Sequence, residues 1–177
     1  MENRKQMNAA YIYLQLYRLF DKSVPTTGDC GKLCQKACCR GDDAGMYLFP
    51  GEKKVFELIN ADWATIEPSE FTYSFGGKEK NVPILFCSGK CDRFQRPLAC
   101  RIFPLTPYLK DGKLEIITDP RAKSVCPLSR SFDISDYEPD FVDNIKKTFR
   151  ILLTNKEFYA FMQAYSEYIA EYFKFFK

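Results

Sequence analysis

The chain has 177 residues, 46% of them apolar and 16% aromatic, which is ample for one hydrophobic core that needs no metal to hold it together and makes a single domain over residues 1–177 the default. Eight cysteines stand beside no histidine at all, so serine–histidine–aspartate and cysteine–histidine catalysis are excluded for want of a base. The formal charge of +3 counts every thiol as neutral; two divalent ions, each held by four thiolates, would bring it to −1, and the charge gives no ground for nucleic-acid binding.

Met1 to Met7 is charged, but the run from Asn8 to Phe20 is interrupted by Gln15 and Arg18 and lacks a small-residue cleavage site, so it does not read as a secretory signal. No apolar run approaches the length of a membrane span. The expectation is a cytoplasmic protein without membrane association, where thiols are kept reduced and clustered cysteines more often bind metal or do redox chemistry than form disulfides.

From Asn8 to Lys22, Ile12, Leu16, Leu19 and Phe20 recur at helical spacing, and Val24-Pro25 closes the segment. Thr26 to Gly31 reads as loop, Arg40 to Gly45 as a turn, and Lys53 to Asn60 as a short helix. Phe71 to Phe75 and Val82 to Phe86 flank Gly76-Gly77, a hairpin pattern. Thr106 to Leu109 and Leu114 to Thr118, joined through Asp111-Gly112, make a second hairpin. The C-terminal third, about residues 136–176, reads as a helical hairpin. Ser135 and Glu138 fit a capping box before a stripe of Phe141, Val142, Ile145, Phe149 and Leu152. Thr154 and Glu157 fit another before Phe158, Phe161, Met162, Tyr165, Ile169, Tyr172 and Phe176, a stripe that reads as core. The expected fold is therefore α+β, with helices from both ends packed around a small antiparallel sheet and an irregular, cysteine-rich region over about residues 28–130.

The chemistry-bearing residues lie in that middle region. Cys30, Cys34 and Cys38 are four apart; on a helix they would share a face, with Cys39 turned about 100° away. The block is thus either a loop that wraps an ion or a set divided between two sites. Cys87 and Cys91 are separated by three residues, a spacing used by zinc knuckles, and Gly89 between them can take the positive φ that turns backbone N–H groups toward sulfur. Cys100 and Cys126 complete the eight, which divide into two tetrathiolate sites or into one site plus buried spare thiols. Lys32, Lys36, Arg40, Lys90, Arg93, Arg96 and Arg101 are interleaved with the sulfurs and can offset thiolate charge. Arg96 and Arg101 in particular could donate hydrogen bonds to cofactor-bound sulfur. Asp42-Asp43 is too short for a calcium loop, and Glu52, ahead of the short helix, could be a carboxylate that supports the metal ligands, although a surface position is the preferred reading. No catalytic residue is assigned.

Arg96-Pro97-Leu98-Ala99-Cys100-Arg101-Ile102-Phe103-Pro104 is the sharpest motif, with Pro97 fitting a first helical position and Pro104 ending the turn. With this run, the early cluster ending in Cys38-Cys39 and the later cysteine pair, the chain resembles the YkgJ-type cysteine-cluster family, described as a zinc- or iron-chelating domain, from about Cys30 to Cys126. The early spacing is wider than the family's tight form, and Phe94 stands where a tyrosine often precedes the arginine–proline step. The resemblance implies metal binding through cysteines and no settled reaction; flagellin lysine methylases look like relatives with a similar cluster.

The sequence therefore points to a metal-binding protein with a structural or redox-related site. Closed all-sulfur sites suit zinc, toward which the reading leans, while the basic and aromatic surroundings equally suit an iron–sulfur cluster. A lysine-methylase-like enzyme acting on a protein substrate and a metal-ordered module for a protein partner are the alternatives. Oligomeric state is not legible.

Overall fold

The structure, a computed structural model, describes residues 2–28, 30–40, 45–89 and 91–174, with residues 2–8 described by backbone alone. The expected turn at 40–45 lies largely outside the described residues, with Asp42 and Asp43, as do Lys90 and Phe176. The fold is α+β. In chain order it runs α1 (Glu2–Arg18), α2 (Cys30–Leu33), β1 (Gly45–Tyr47), α3 (Lys53–Ile59), β2 (Ala64–Phe75), β3 (Lys78–Cys87), α4 (Leu98–Ile102), β4 (Leu105–Lys110), β5 (Lys113–Thr118), α5 (Leu128–Ser131), α6 (Pro139–Leu152) and α7 (Lys156–Tyr172).

Both hairpins form about the expected turns. Gly76 and Gly77 sit at φ 61° and 73°, and Asp111 and Gly112 at 50° and 74°; two successive positive φ values are what a tight hairpin needs to match strand twist. β2 and β3 pair from Phe75↔Lys78 to Ala64↔Cys87, with the register shifting between Pro68 and Thr72. At that irregularity Ser69 Oγ donates to the Val82 carbonyl at 2.6 Å. The short β1, which the sequence did not suggest, adds to the other side of β3 to give an antiparallel sheet of order β1-β3-β2. The sheet matters for function because β3 ends on Cys87.

Helix α1 starts well before Asn8 and stops before Lys22. Leu16 and Phe20 are buried as expected, whereas Ile12 and Leu19 are exposed and Tyr13 and Tyr17 take their place in the core. The reason is hydrogen bonding: Tyr13 donates to the Pro50 carbonyl at 3.0 Å and Tyr17 to Glu52 Oε1 at 2.6 Å, so each ring is buried with its polar tip satisfied. α1 packs on α3 and meets α6 near its end, through the edge-to-face pair Phe20–Phe141 at 6.5 Å and the Asn144 amide on the Leu19 carbonyl.

In α6 and α7 every expected core residue that is described is buried, apart from Tyr172, which is half-buried. α7 lies across β2 and β4, and α6 across β5. Phe49 is a focus of the core, its ring 5.2, 5.8, 5.7 and 6.3 Å from those of Phe149, Phe158, Phe161 and Tyr165. Both expected capping boxes are displaced. Asp133 and Asp136 form one on a single turn of 3₁₀ helix, while Glu138 accepts from Thr27. Asn155, not Thr154, caps α7 by accepting from the Glu157 and Phe158 amides, because Thr154 donates back to the Ile151 carbonyl and Glu157 pairs with Lys80.

Candidate functional site

The first cysteine block is neither a loop throughout nor one helix. A four-residue helix begins at Cys30, where loop was expected. Gln35 and Lys36 then take φ 52° and 59°, and the chain re-enters a 3₁₀ turn over Ala37–Cys39. Two successive left-handed residues reverse the chain, so that Cys38 and Cys39 face the same space as Cys30 and Cys34. That space is a cavity of about 210 Å³ lined by Cys30, Cys34, Cys38, Cys39, Cys100 and Cys126. Three stretches far apart in the chain thus bring six cysteines to one void. None of the eight cysteines is in a disulfide.

Cys87 and Cys91 do not line this cavity. Gly89 has φ 76° and its amide donates to the Cys87 sulfur at 3.3 Å, as its position between two cysteines suggested. A Cβ at Gly89 would lie 3.0 Å from the Cys39 carbonyl oxygen, so the second block packs backbone to backbone on the first, and glycine is required there. Arg96, which lines the cavity, lies within electrostatic reach of Cys39, Cys91 and Cys100. It is the bridge between the two groups of thiols.

Arg101 has a different task. It is buried, and its guanidinium donates to the carbonyls of Arg96 at 2.7 Å, Phe94 at 2.6 Å and Tyr17 at 3.3 Å. It also lies 4.2 Å from the centre of the Tyr17 ring and 3.8 Å from Asp21. Arg101 therefore fastens the 94–96 segment to α1, and although its side chain lines the cavity it is chiefly a clamp. The opposite charge comes from Glu52, which is 0% exposed, against the expectation of a surface position. Its Oε1 accepts from the Leu98 amide and from Tyr17 Oη, both at 2.6 Å, and its Oε2 from the Phe49 amide at 3.0 Å. Burial raises the Glu52 carboxyl above its usual value, opposed by these three donors. Leu98 is the first residue of α4, capped by Pro97 and not opened by it, so Glu52 and Arg101 together hold the helix that carries Cys100. The Arg96–Pro104 motif is the part of the chain that this clamp grips. Nothing in a lone glutamate after Pro50-Gly51 signals it; Tyr13 and Tyr17, one helical turn apart with polar tips, are the available hint.

The sulfurs are electrostatically coupled. Cys38 and Cys39 are 3.9 Å apart; the bond from Cys38 lowers Cys39 to about 6, with Arg96 and Lys36 helping against burial, and the same bond with burial raises Cys38. Burial and Cys87 raise Cys91 to about 11 despite Arg96. Burial raises Cys100 strongly, with Cys39, Cys91 and Cys87 adding to it. Without a cation, each ionised sulfur opposes the next, so a metal would be bound with release of protons.

Single-ion geometry is a separate matter. Four thiolates about one zinc at 2.3 Å stand about 3.8 Å from one another, and among the described residues no group of three or more histidine, cysteine, aspartate or glutamate side chains is placed to hold one metal ion. The donors fit a metal by type and line one cavity, but they are not gathered about a single point. Among the described residues no helix is long and apolar enough to cross a membrane. Compared with protein-family models, with curated proteins and with solved structures, the chain matches none of them.

Proposed function

We propose that this is a cytoplasmic cysteine-cluster protein whose central cavity holds a metal centre with a structural or redox-related role. The observation that carries the reading is the convergence of Cys30, Cys34, Cys38, Cys39, Cys100 and Cys126 on one cavity of about 210 Å³. The cationic lining of Lys36, Arg93, Arg96 and Arg101, which can donate to sulfur and offset its charge, favours an iron–sulfur cluster over the zinc toward which the sequence leans. The likeness of the Arg96–Pro104 motif to the YkgJ-type family supports the same reading. Arg96, near Cys39, Cys91 and Cys100, would tune the centre by its charge and by donating to cofactor-bound sulfur.

The test is metal content per chain in single Cys→Ser variants purified without oxygen. Cys100→Ser is expected to lose most of the metal with the fold kept, as judged by circular dichroism. Full metal content in Cys100→Ser, Cys38→Ser and Cys126→Ser alike would contradict the reading.

A further inference from the structure

We propose that Tyr137 is a positioning residue of the metal centre, whose buried hydroxyl donates a hydrogen bond to the Cys126 sulfur once that sulfur is ionised on a metal. The inference rests on the metal-centre reading and deepens it by naming a donor for one of its ligands.

Cys126 is the one buried cysteine of the eight. A thiolate there is cut off from water, and a metal takes up only part of its charge, so a nearby O–H or N–H donor is required. The adjacent chain offers none. The Cys126 amide donates to the Ala122 carbonyl at 2.7 Å, Pro127 has no N–H, and the Ser129 hydroxyl donates to the Cys126 carbonyl at 2.7 Å.

Tyr137 has the opposite defect, a donor without an acceptor. It is 2% exposed, and its Oη is buried with no hydrogen-bond partner, where a phenylalanine would fill the same space without leaving a polar atom unsatisfied. The residue is tied to segments that line the cavity with Cys126. Its ring packs edge-to-face on Phe132 at 5.4 Å, and the Phe132 amide donates to the Leu128 carbonyl at 2.9 Å. The amide of the next residue, Glu138, donates to the Pro25 carbonyl at 3.1 Å, and Pro25 and Leu128 both line the cavity. Burial first, and then the charge of an ionised Cys126, raise the Tyr137 hydroxyl to about 12, opposed by Thr118 and joined by Asp136. Thr118 is near Oη but makes no hydrogen bond to it. A phenol that holds its proton beside a thiolate is a donor to that thiolate. Arg93 and Arg96, which line the cavity, each carry a buried Nε without a partner as well, so unsatisfied donors gather around the sulfurs.

Tyr137→Phe removes the hydroxyl and nothing else. The full chain and this variant, purified without oxygen, are compared by competition with EDTA for the metal they carry and by urea unfolding of the metal-free, reduced forms. Metal affinity is expected to fall by roughly tenfold or more, while the urea midpoint of the metal-free variant stays at or above that of the wild type, because no hydrogen bond is lost there. Tyr13→Phe, which gives up the bond to the Pro50 carbonyl, is expected to lower that midpoint and shows what loss of a satisfied tyrosine hydroxyl looks like. Unchanged metal affinity in Tyr137→Phe would overturn the proposal. So would a midpoint lowered as in Tyr13→Phe, since the hydroxyl would then already have a partner, with Thr118 the nearest, in the absence of metal. Wild-type protein that carries no metal fails the metal-centre reading itself, which keeps the two failures distinguishable.

Discussion

Substituting Glu52 tests how Cys100 is held in the cavity wall. The carboxylate accepts from two buried backbone amides and one tyrosine hydroxyl. In Glu52→Gln the amide oxygen can keep Leu98 and Tyr17, while its NH₂ group faces the Phe49 N–H, so one buried donor loses its acceptor at about 1–2 kcal/mol. In Glu52→Ala all three donors lose theirs and Arg101 loses its buried counter-charge, at about 3–5 kcal/mol. For a chain of 177 residues these costs correspond to losses in Tm of roughly 2–8 °C and 6–20 °C. Urea unfolding of the metal-free, reduced protein measures the free energies, and Leu58→Ala, on an exposed face of α3, is the control expected to stay within about 0.5 kcal/mol. If Glu52→Ala unfolds like the control, the carboxylate does not hold α4 and the account of the Arg96–Pro104 motif fails.

Gly89→Ala forces a side chain at φ 76° and into a 3.0 Å approach to the Cys39 carbonyl; competition with a chelator should show metal affinity lowered roughly tenfold, and unchanged affinity would mean that the two cysteine blocks do not pack as described. In metal-free, reduced protein, Cys39 should be alkylated first by iodoacetamide near neutral pH, with a rate that falls as pH drops through about 6, since the thiolate is the nucleophile. Cys100, half-buried and raised by desolvation and by its neighbouring thiols, should react well after Cys39 in peptide mass mapping; equal rates for the two would refute the electrostatic picture. Phe49→Ala, removing a ring packed on four others, should cost about 3–5 kcal/mol by urea unfolding, and a loss under about 1 kcal/mol would displace Phe49 from the centre of the core.

What could be read in the sequence was whatever local chemistry decides. Gly76-Gly77 and Asp111-Gly112 fix their hairpins because few other pairs tolerate consecutive positive φ. The α6 and α7 stripes are strongly apolar at helical spacing, so burial follows with little help from context. Long-range partners decided the rest. Tyr13 and Tyr17 displace Ile12 and Leu19 from the core because acceptors at Pro50 and Glu52 await their hydroxyls. Glu52 is buried because amides from two other segments and Tyr17 surround it. The caps moved by one or two residues because Glu138 and Glu157 found partners far along the chain, in Thr27 and in Tyr73 and Lys80. At the site, residue types and the Gly89 turn were legible, but not that six cysteines share one void while Cys87 and Cys91 do not line it, which depends on the reversal at Gln35-Lys36.

The most direct measurement is the visible spectrum of anaerobically purified protein together with its iron and acid-labile sulfide. The account predicts a brown protein with broad visible absorption and with iron and sulfide in comparable amounts, both lost in Cys100→Ser. A colourless protein that carries zinc, or that carries no metal while its thiols remain reduced, would contradict it.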